Sequence, residues 1–257
     1  ITNSPSNSTS TSISKKQYSK YALPEYLAKH YWWAYLSPVG VKFFDRPFMV
    51  NRILWGQYHK IAKDTVNLFS PENELVDVMQ RVAGISCAYG EFFPKLVQHE
   101  NVDKLFLFDV APIQLSQMQK KIPVQELTNK CQLFLSNAEQ ISIANQSVDS
   151  SVMFFLLHEL PVLARANVIS EAIRITKPGG RIIIADYAEN KEEHFFHRVK
   201  IFNSVFEKLE PFLANFWHCD LNAELSEQAK HQGRRISLIS ERYYFTRFYR
   251  LLEYKIE

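Results

Sequence analysis

An α/β fold built on a doubly wound, mostly parallel sheet is what this 257-residue sequence predicts, on three observations. Short, near-continuous apolar runs alternate with amphipathic segments from about residue 74 onward, and such runs mark strands buried on both faces. A glycine-bearing turn, "GISCAYG", follows the first run. An acidic residue, Asp109, closes the second, "KLFLFDV".

The elements follow in order. Residues 1–20 open with "ITNSPSNSTSTSISKK", a Ser/Thr/Asn-rich stretch expected to be disordered. Such a start suits a processed targeting peptide, but the stretch lacks the Arg of a transit peptide. Residues 21–70 read as a helical lid, the start of one domain running to residue 257. Nine aromatics lie between Tyr31 and Tyr58, and Pro24, Pro38 and Pro47 divide the segment into short helices. "VNRILWGQYHKIAKDTVNLF" carries apolar residues at helical spacing and reads as one helix. The α/β core spans residues 71–257. Its strands are "RVAGIS", "KLFLFDV", "CQLFLSN", "SSVMFFL" and "GRIIIADY", with helices "GEFFPKLVQ", "APIQLSQMQKKI" and "VLARANVISEAIRIT" between them. A helical stretch from Tyr187 to about Lys230 precedes an antiparallel pair, "ISLISERYYFT" and "FYRLLEYKIE", for seven strands in all.

Composition narrows the function. A net charge of +3 without a dense Lys/Arg block argues against nucleic acid as a partner. The three scattered cysteines, Cys87, Cys131 and Cys219, form neither a disulfide framework nor a Cys-based zinc site. No run reaches the roughly 18 apolar residues of a membrane span. With only seven glycines in the chain, each is expected to mark a backbone need.

Four features fall in order at the carboxyl ends of successive strands, where open α/β sheets bind ligands. The N–H groups of "GISCAYG" and the helix opened by Gly90 suit a carboxylate. Asp109 suits a pair of ribose hydroxyls, although Asp also caps helices. Asn137 in "SNAEQ" suits an adenine edge or an ordinary turn. "VMFFLLHEL" then precedes "ITKPGGRIIIADY", whose Lys-Pro-Gly-Gly turn separates a helix from the next strand. His158 and Glu159 read as a structural pair or as catalytic groups able to ligate a metal or move a proton, and Asp186 is similar. His194 and His197 in "EEHFFH" sit one helical turn apart, a metal spacing that a solvated helix face explains as well.

From about residue 74 these motifs resemble the class I, Rossmann-like S-adenosylmethionine (SAM) dependent methyltransferases, nearest those of ubiquinone and menaquinone biosynthesis. "YWWAY", "FFDRP" and "VNRIL", joined to "CAYGEFF" and "FDVAPIQL", further resemble the rhodoquinone biosynthesis family RquA, over about residues 21–255. That resemblance implies conversion of ubiquinone to rhodoquinone by replacing a ring methoxy group with an amino group, with SAM as amino donor and Mn(II). It implies peripheral membrane contact through the lid, on the matrix side of the mitochondrial inner membrane or the cytoplasmic face of a bacterial one. Cofactor contacts are expected from Tyr58, Gly84, Cys87, Tyr89, Gly90, Asp109, Val110, Asn137, Ala138 and Met153. Substrate contacts are expected from Tyr35, Asp45, Arg46 and Asn51, and catalysis from His158, Glu159 and Asp186. Where ordinary relatives carry an acid that holds the SAM ammonium, this chain has Gly84, which would leave the amine free to lose its proton. Ordinary methyl transfer to a quinone or phenol, and a non-catalytic quinone carrier, are the alternatives.

Overall fold

A computed structural model describes residues 23–70, 79–87, 89–189 and 210–257. The expected disordered segment 1–20, Ala88, and the histidines at 194 and 197 lie outside the described residues.

Seven strands form one sheet: β1 Gln80–Ile85, β2 Val102–Asp109, β3 Cys131–Leu135, β4 Val148–Phe154, β5 Thr176–Tyr187, β6 Ile236–Tyr244 and β7 Tyr249–Ile256. Their order is β3-β2-β1-β4-β5-β7-β6. The first five run parallel, and β7 lies antiparallel between β5 and β6. The order reverses between β1 and β4, so the crevice for a ligand opens at the carboxyl ends of these strands. Val82, Leu107, Val152 and Ile182 to Ile184 are wholly buried, as the near-continuous apolar runs require.

The helices are a π-helix, Leu27–Leu36, then α1 Pro38–Phe44, α2 Pro47–Ile53, α3 Tyr58–Asn67, α4 Phe92–Leu96, α5 Pro112–Lys121, α6 Val124–Asn129, a single 3₁₀ turn Leu157–Glu159, α7 Val162–Ile175, α8 Leu213–Trp217 and α9 Leu221–His231. Pro38 and Pro47 each stand at a helix start, where the missing N–H costs nothing. Ser37 caps α1 through its hydroxyl, accepting from Gly40 N–H.

Three expectations need correction. The single helix over residues 50–69 is two helices, because Trp55 (φ +50°) and Gly56 (φ +79°) turn left-handed between α2 and α3. The Lys-Pro-Gly-Gly segment is no free turn: β5 begins at Thr176, and a register shift against β4 absorbs the extra residues. Of the helical stretch expected from Tyr187 to about Lys230, residues 190–209 lie outside the described residues and the remainder is interrupted, since α8 ends at Trp217 and Asp220 caps a separate α9 by accepting from Ala223 N–H.

A buried ion pair ties the far half of the sheet to the N-terminal helices. Arg181 of β5 meets Glu253 of β7 at 2.5 Å, and both side chains are almost fully enclosed. The guanidinium also donates to the Leu68 carbonyl beyond α3 and to Gln80 of β1. Burial pushes the Arg181 pKa down and Glu253 opposes that shift. Glu253→Ala strands the cation, so unfolding in denaturant should show a loss of about 3–5 kcal/mol.

Candidate active site

The site grows from the end of β1. Ser86 turns left-handed (φ +71°), a conformation that costs a non-glycine residue about 1–3 kcal/mol. That turn points the Cys87 N–H at Asp109, whose Oδ2 accepts it at 2.8 Å while Oδ1 accepts from Ala111 N–H at 2.8 Å. Burial pushes the Asp109 carboxyl up to about 6, against the pull of these N–H donors. Asp109 thus fastens the ends of β1 and β2 together while it lines a cavity with Val110, Asn137 and Ala138.

The rest of the β1–α4 loop is held by the N-terminal helices. Tyr58, the first residue of α3, accepts from Glu91 N–H at 2.6 Å and from Phe92 N–H at 2.9 Å through its hydroxyl. Asp45 accepts from Gly90 N–H at 3.0 Å and binds Lys121 of α5 at 2.6 Å; Lys121 also donates to the Gly90 carbonyl. Gly90 (φ +85°) must be glycine, because a Cβ there would lie 2.3 Å from the Tyr58 hydroxyl. Among the described N–H groups expected to receive a carboxylate, that of Cys87 is taken by Asp109, that of Gly90 by Asp45, and those of Glu91 and Phe92 by Tyr58.

A second, aromatic cavity adjoins the first, and Tyr31, Tyr35, Ser86 and Glu159 line both. Its walls include Trp33, Phe44, Tyr89, Phe155 and Tyr187. Tyr35 stacks on Tyr89 with ring centres 5.1 Å apart and 13° between planes, and it hydrogen-bonds Glu159 through its hydroxyl. Tyr89 donates to the Ala34 carbonyl at 2.5 Å. The π-helix presents Tyr31 and Tyr35 together, and Tyr31 donates to Glu210 at 3.1 Å.

His158 and Glu159 sit on the 3₁₀ turn after β4, behind Phe155, which is also left-handed (φ +54°). Asp186, at the end of β5, holds His158 Nδ1 at 2.7 Å and is itself fixed by the N–H groups of Leu157 and Tyr187. His158 Nε2 then faces Glu159 at 4.0 Å. Ligand atoms of His158, Glu159 and Glu210 all lie within 4.8 Å of one another. Burial disfavours the charged imidazole, but Asp186 and the two glutamates outweigh it and raise His158 to about 9. Burial, then the neighbouring Glu210, push Glu159 up to about 8. A histidine anchored at Nδ1 by a carboxylate, with two acids before Nε2, is a donor set for a divalent cation or a relay for a proton.

The structure spreads the residues singled out from sequence. Asp109, Val110, Asn137 and Ala138 line the first cavity; Tyr58, Tyr89 and His158 line the second; Tyr35 and Glu159 line both; Asp186 stands behind His158. Others lie elsewhere. Gly84 is inside β1, where a Cβ would come 2.4 Å from Leu107 and 2.5 Å from Phe93, so packing demands the glycine and no acid fits there. Cys87 and Met153 are buried, and neither lines either cavity; Cys87 contributes its N–H rather than its thiol. Gly90, Asp45 and Arg46 border a separate surface pocket beside Lys121. Asn51 lines none of these cavities, and its buried Oδ1 has no hydrogen-bond partner among the described residues. Sequence reasoning missed Glu210, which reaches the site from about fifty residues beyond His158 and carries no local motif.

Comparison with known proteins agrees with this geometry. Residues 84–184 match the family described as a methyltransferase domain. The ubiquinone/menaquinone biosynthesis C-methyltransferase UbiE of Rickettsia felis is 21% identical over 155 residues, 59% of this chain and 60% of the relative. Its counterpart in Rickettsia prowazekii is 23% identical over 150 residues, 58% of each chain. This chain's match thus spans less than two thirds of these relatives. Magnesium protoporphyrin IX methyltransferase of Synechocystis PCC 6803 with bound SAH superposes with a TM-score of 0.61 at 14% identity, covering 86% of this chain and 96% of that one. The α/β core has the class I SAM-dependent methyltransferase fold.

Packing at position 84 can be tested directly. Gly84→Asp should lower stability by about 3 kcal/mol or more, from overpacking and a buried unpaired charge, seen as a fall in the thermal midpoint.

Proposed function

We propose that this protein is a SAM-dependent transferase acting on the ring of a prenylated quinone. The observation that carries the reading is the junction of the two cavities. One is floored by Asp109 and suits an adenosyl group; the other is aromatic and suits a flat ring; they meet at Ser86, Tyr35 and Glu159. Ribose hydroxyls would donate to Asp109, and a quinone would lie among Tyr89, Phe155 and Tyr187.

Within this class we favour amino-for-methoxy exchange, ubiquinone to rhodoquinone, with SAM as nitrogen donor. The resemblance of the N-terminal helices to RquA and the acid–histidine cluster support it. The nitrogen would add to the ring carbon that bears methoxy, and methoxide would leave and take the nitrogen's proton to become methanol; the SAM skeleton then stays on the nitrogen, and a separate cleavage of its N–Cα bond would have to follow to give the primary amine of rhodoquinone. His158, raised to about 9 and so protonated near neutral pH, is placed to hand a proton to the departing methoxide and take one back from the added nitrogen, and Asp186 would keep the imidazole oriented. His158, Glu159 and Glu210 fit a divalent cation such as Mn(II), a nitrogen with two carboxylate oxygens and an anchored second ring nitrogen. Such an ion would polarise a quinone oxygen. Methyl transfer to the quinone ring is the second reading, and the similarity to the UbiE proteins favours it.

A polyprenyl tail must reach the cavity from a bilayer. Exposed Trp32, Phe43, Phe48 and Trp55 on the N-terminal helices, together with Lys42, Arg46 and Arg52, support peripheral contact with a membrane surface. By this reading the protein works on the matrix side of the mitochondrial inner membrane, or on the equivalent bacterial face.

Two measurements check the proposal. Incubation with ubiquinone, Mn(II) and SAM labelled with nitrogen-15 at the amine and deuterium in the methyl group should put nitrogen-15 into the lipid. Deuterium in the lipid instead would establish methyl transfer, and neither label would exclude both. Affinity for S-adenosylhomocysteine should follow ionisation of Asp109, so it should be about tenfold weaker at pH 5 than at pH 7, because a group with a pKa near 6 is about one-tenth ionised at pH 5. Asp109→Asn should abolish that slope.

A further inference from the structure

We infer that the side of the aromatic cavity walled by Trp33, Phe44, Val50, Ile53 and Leu54 is a channel for the first isoprenoid unit of the substrate, with its mouth at Ile53 on α2. The inference deepens the proposed function: it rests on a quinone ring occupying this cavity and adds the path of the tail.

Three observations carry it. The first is a division of polarity. Where the cavity meets the adenosyl side it gathers Ser86, Tyr35 and Glu159, with His158 and Glu210 alongside. Where it is bounded by α1 and α2 it has no charged side chain among the described residues. The polar atoms nearby are already paired: the Trp33 ring N–H donates to the His30 carbonyl at 3.0 Å, and the Tyr58 hydroxyl accepts from the Glu91 and Phe92 N–H groups. Neither is left for a polar occupant.

The second is the mouth. Ile53, at 44% exposure, is the one exposed residue among the described residues lining the cavity. The third is the surface around it. Phe48 of the same helix and Trp55 just beyond it are exposed, so the mouth opens beside apolar side chains rather than charged ones. A ring seated with its reacting edge toward Ser86 and Glu159 sends its tail the opposite way, along α2 and out past Ile53. The tail then passes from protein to bilayer without crossing water, where its apolar surface would be costly.

Equilibrium dialysis without lipid or detergent tests the path with two ligands, the ubiquinone ring without a tail and the same ring with one isoprenoid unit. Each buried methylene contributes up to about fourfold in affinity, so the tailed ligand should bind wild-type protein at least about tenfold more tightly. Ile53→Glu should cut that gain to about threefold or less and leave the tailless ligand bound as before, which also shows the variant is folded. Phe48→Glu, on the same helix but lining neither cavity, should keep the full gain. Equal binding of the two ligands to wild type, a full gain in Ile53→Glu, or an equal loss in Phe48→Glu overturns the inference and leaves the ring site of the proposed function standing. Failure of both ligands to bind wild-type protein overturns that site as well.

Discussion

The hydroxyl of Tyr58 stands between the first residue of α3 and the two leading N–H groups of α4, and the site is arranged around that contact. Buried N–H groups left unpaired cost about 1–3 kcal/mol each, so something must satisfy Glu91 and Phe92. Here the partner is a side chain from the N-terminal helices, and Asp45 completes the fastening through Gly90 and Lys121. The loop and the N-terminal helices thereby become one unit. The requirement for glycine at position 90 follows, as does the closeness of Tyr31 and Tyr35 to the end of β4.

Once the loop is fastened from outside, polarity shifts toward the strand that follows. The acid–histidine group at the ends of β4 and β5 is enclosed by aromatic rings, including His158 packed 4.7 Å from Tyr187. Burial among these rings, with Glu210 alongside, pushes the Glu159 carboxyl above the usual range. Two of the left-handed residues, Ser86 and Phe155, border the aromatic cavity, a place where strain is retained when the surrounding packing fixes it.

Much of the fold was legible because strands buried on both faces leave near-continuous apolar runs, and all seven were placed from such runs or from the closing pair. The position of Asp109, Asn137 and Glu159 around one cavity was legible for a related reason: all three follow the ends of parallel strands, where the crevice of such a sheet opens. What failed was side-chain direction. Gly84 stands where an acid was looked for, but its missing side chain would point into packed Phe93 and Leu107, which period-two alternation alone does not reveal. Asp45 was assigned to a substrate and instead satisfies a backbone N–H of the loop, a long-range pairing without sequence signature. Glu210 was invisible because the chain returns to the site far from any motif. The break at Trp55–Gly56 was readable from the glycine but was overruled by helical spacing on both sides.

Amide hydrogen exchange at Glu91 and Phe92 tests the fastening most directly. In the free protein both amides should exchange slowly, adding S-adenosylhomocysteine should change little, and Tyr58→Phe should speed both. Amides that exchange fast in the free protein and slow only when ligand binds would contradict the account, because the loop would then be holding the ligand rather than being held by the helices.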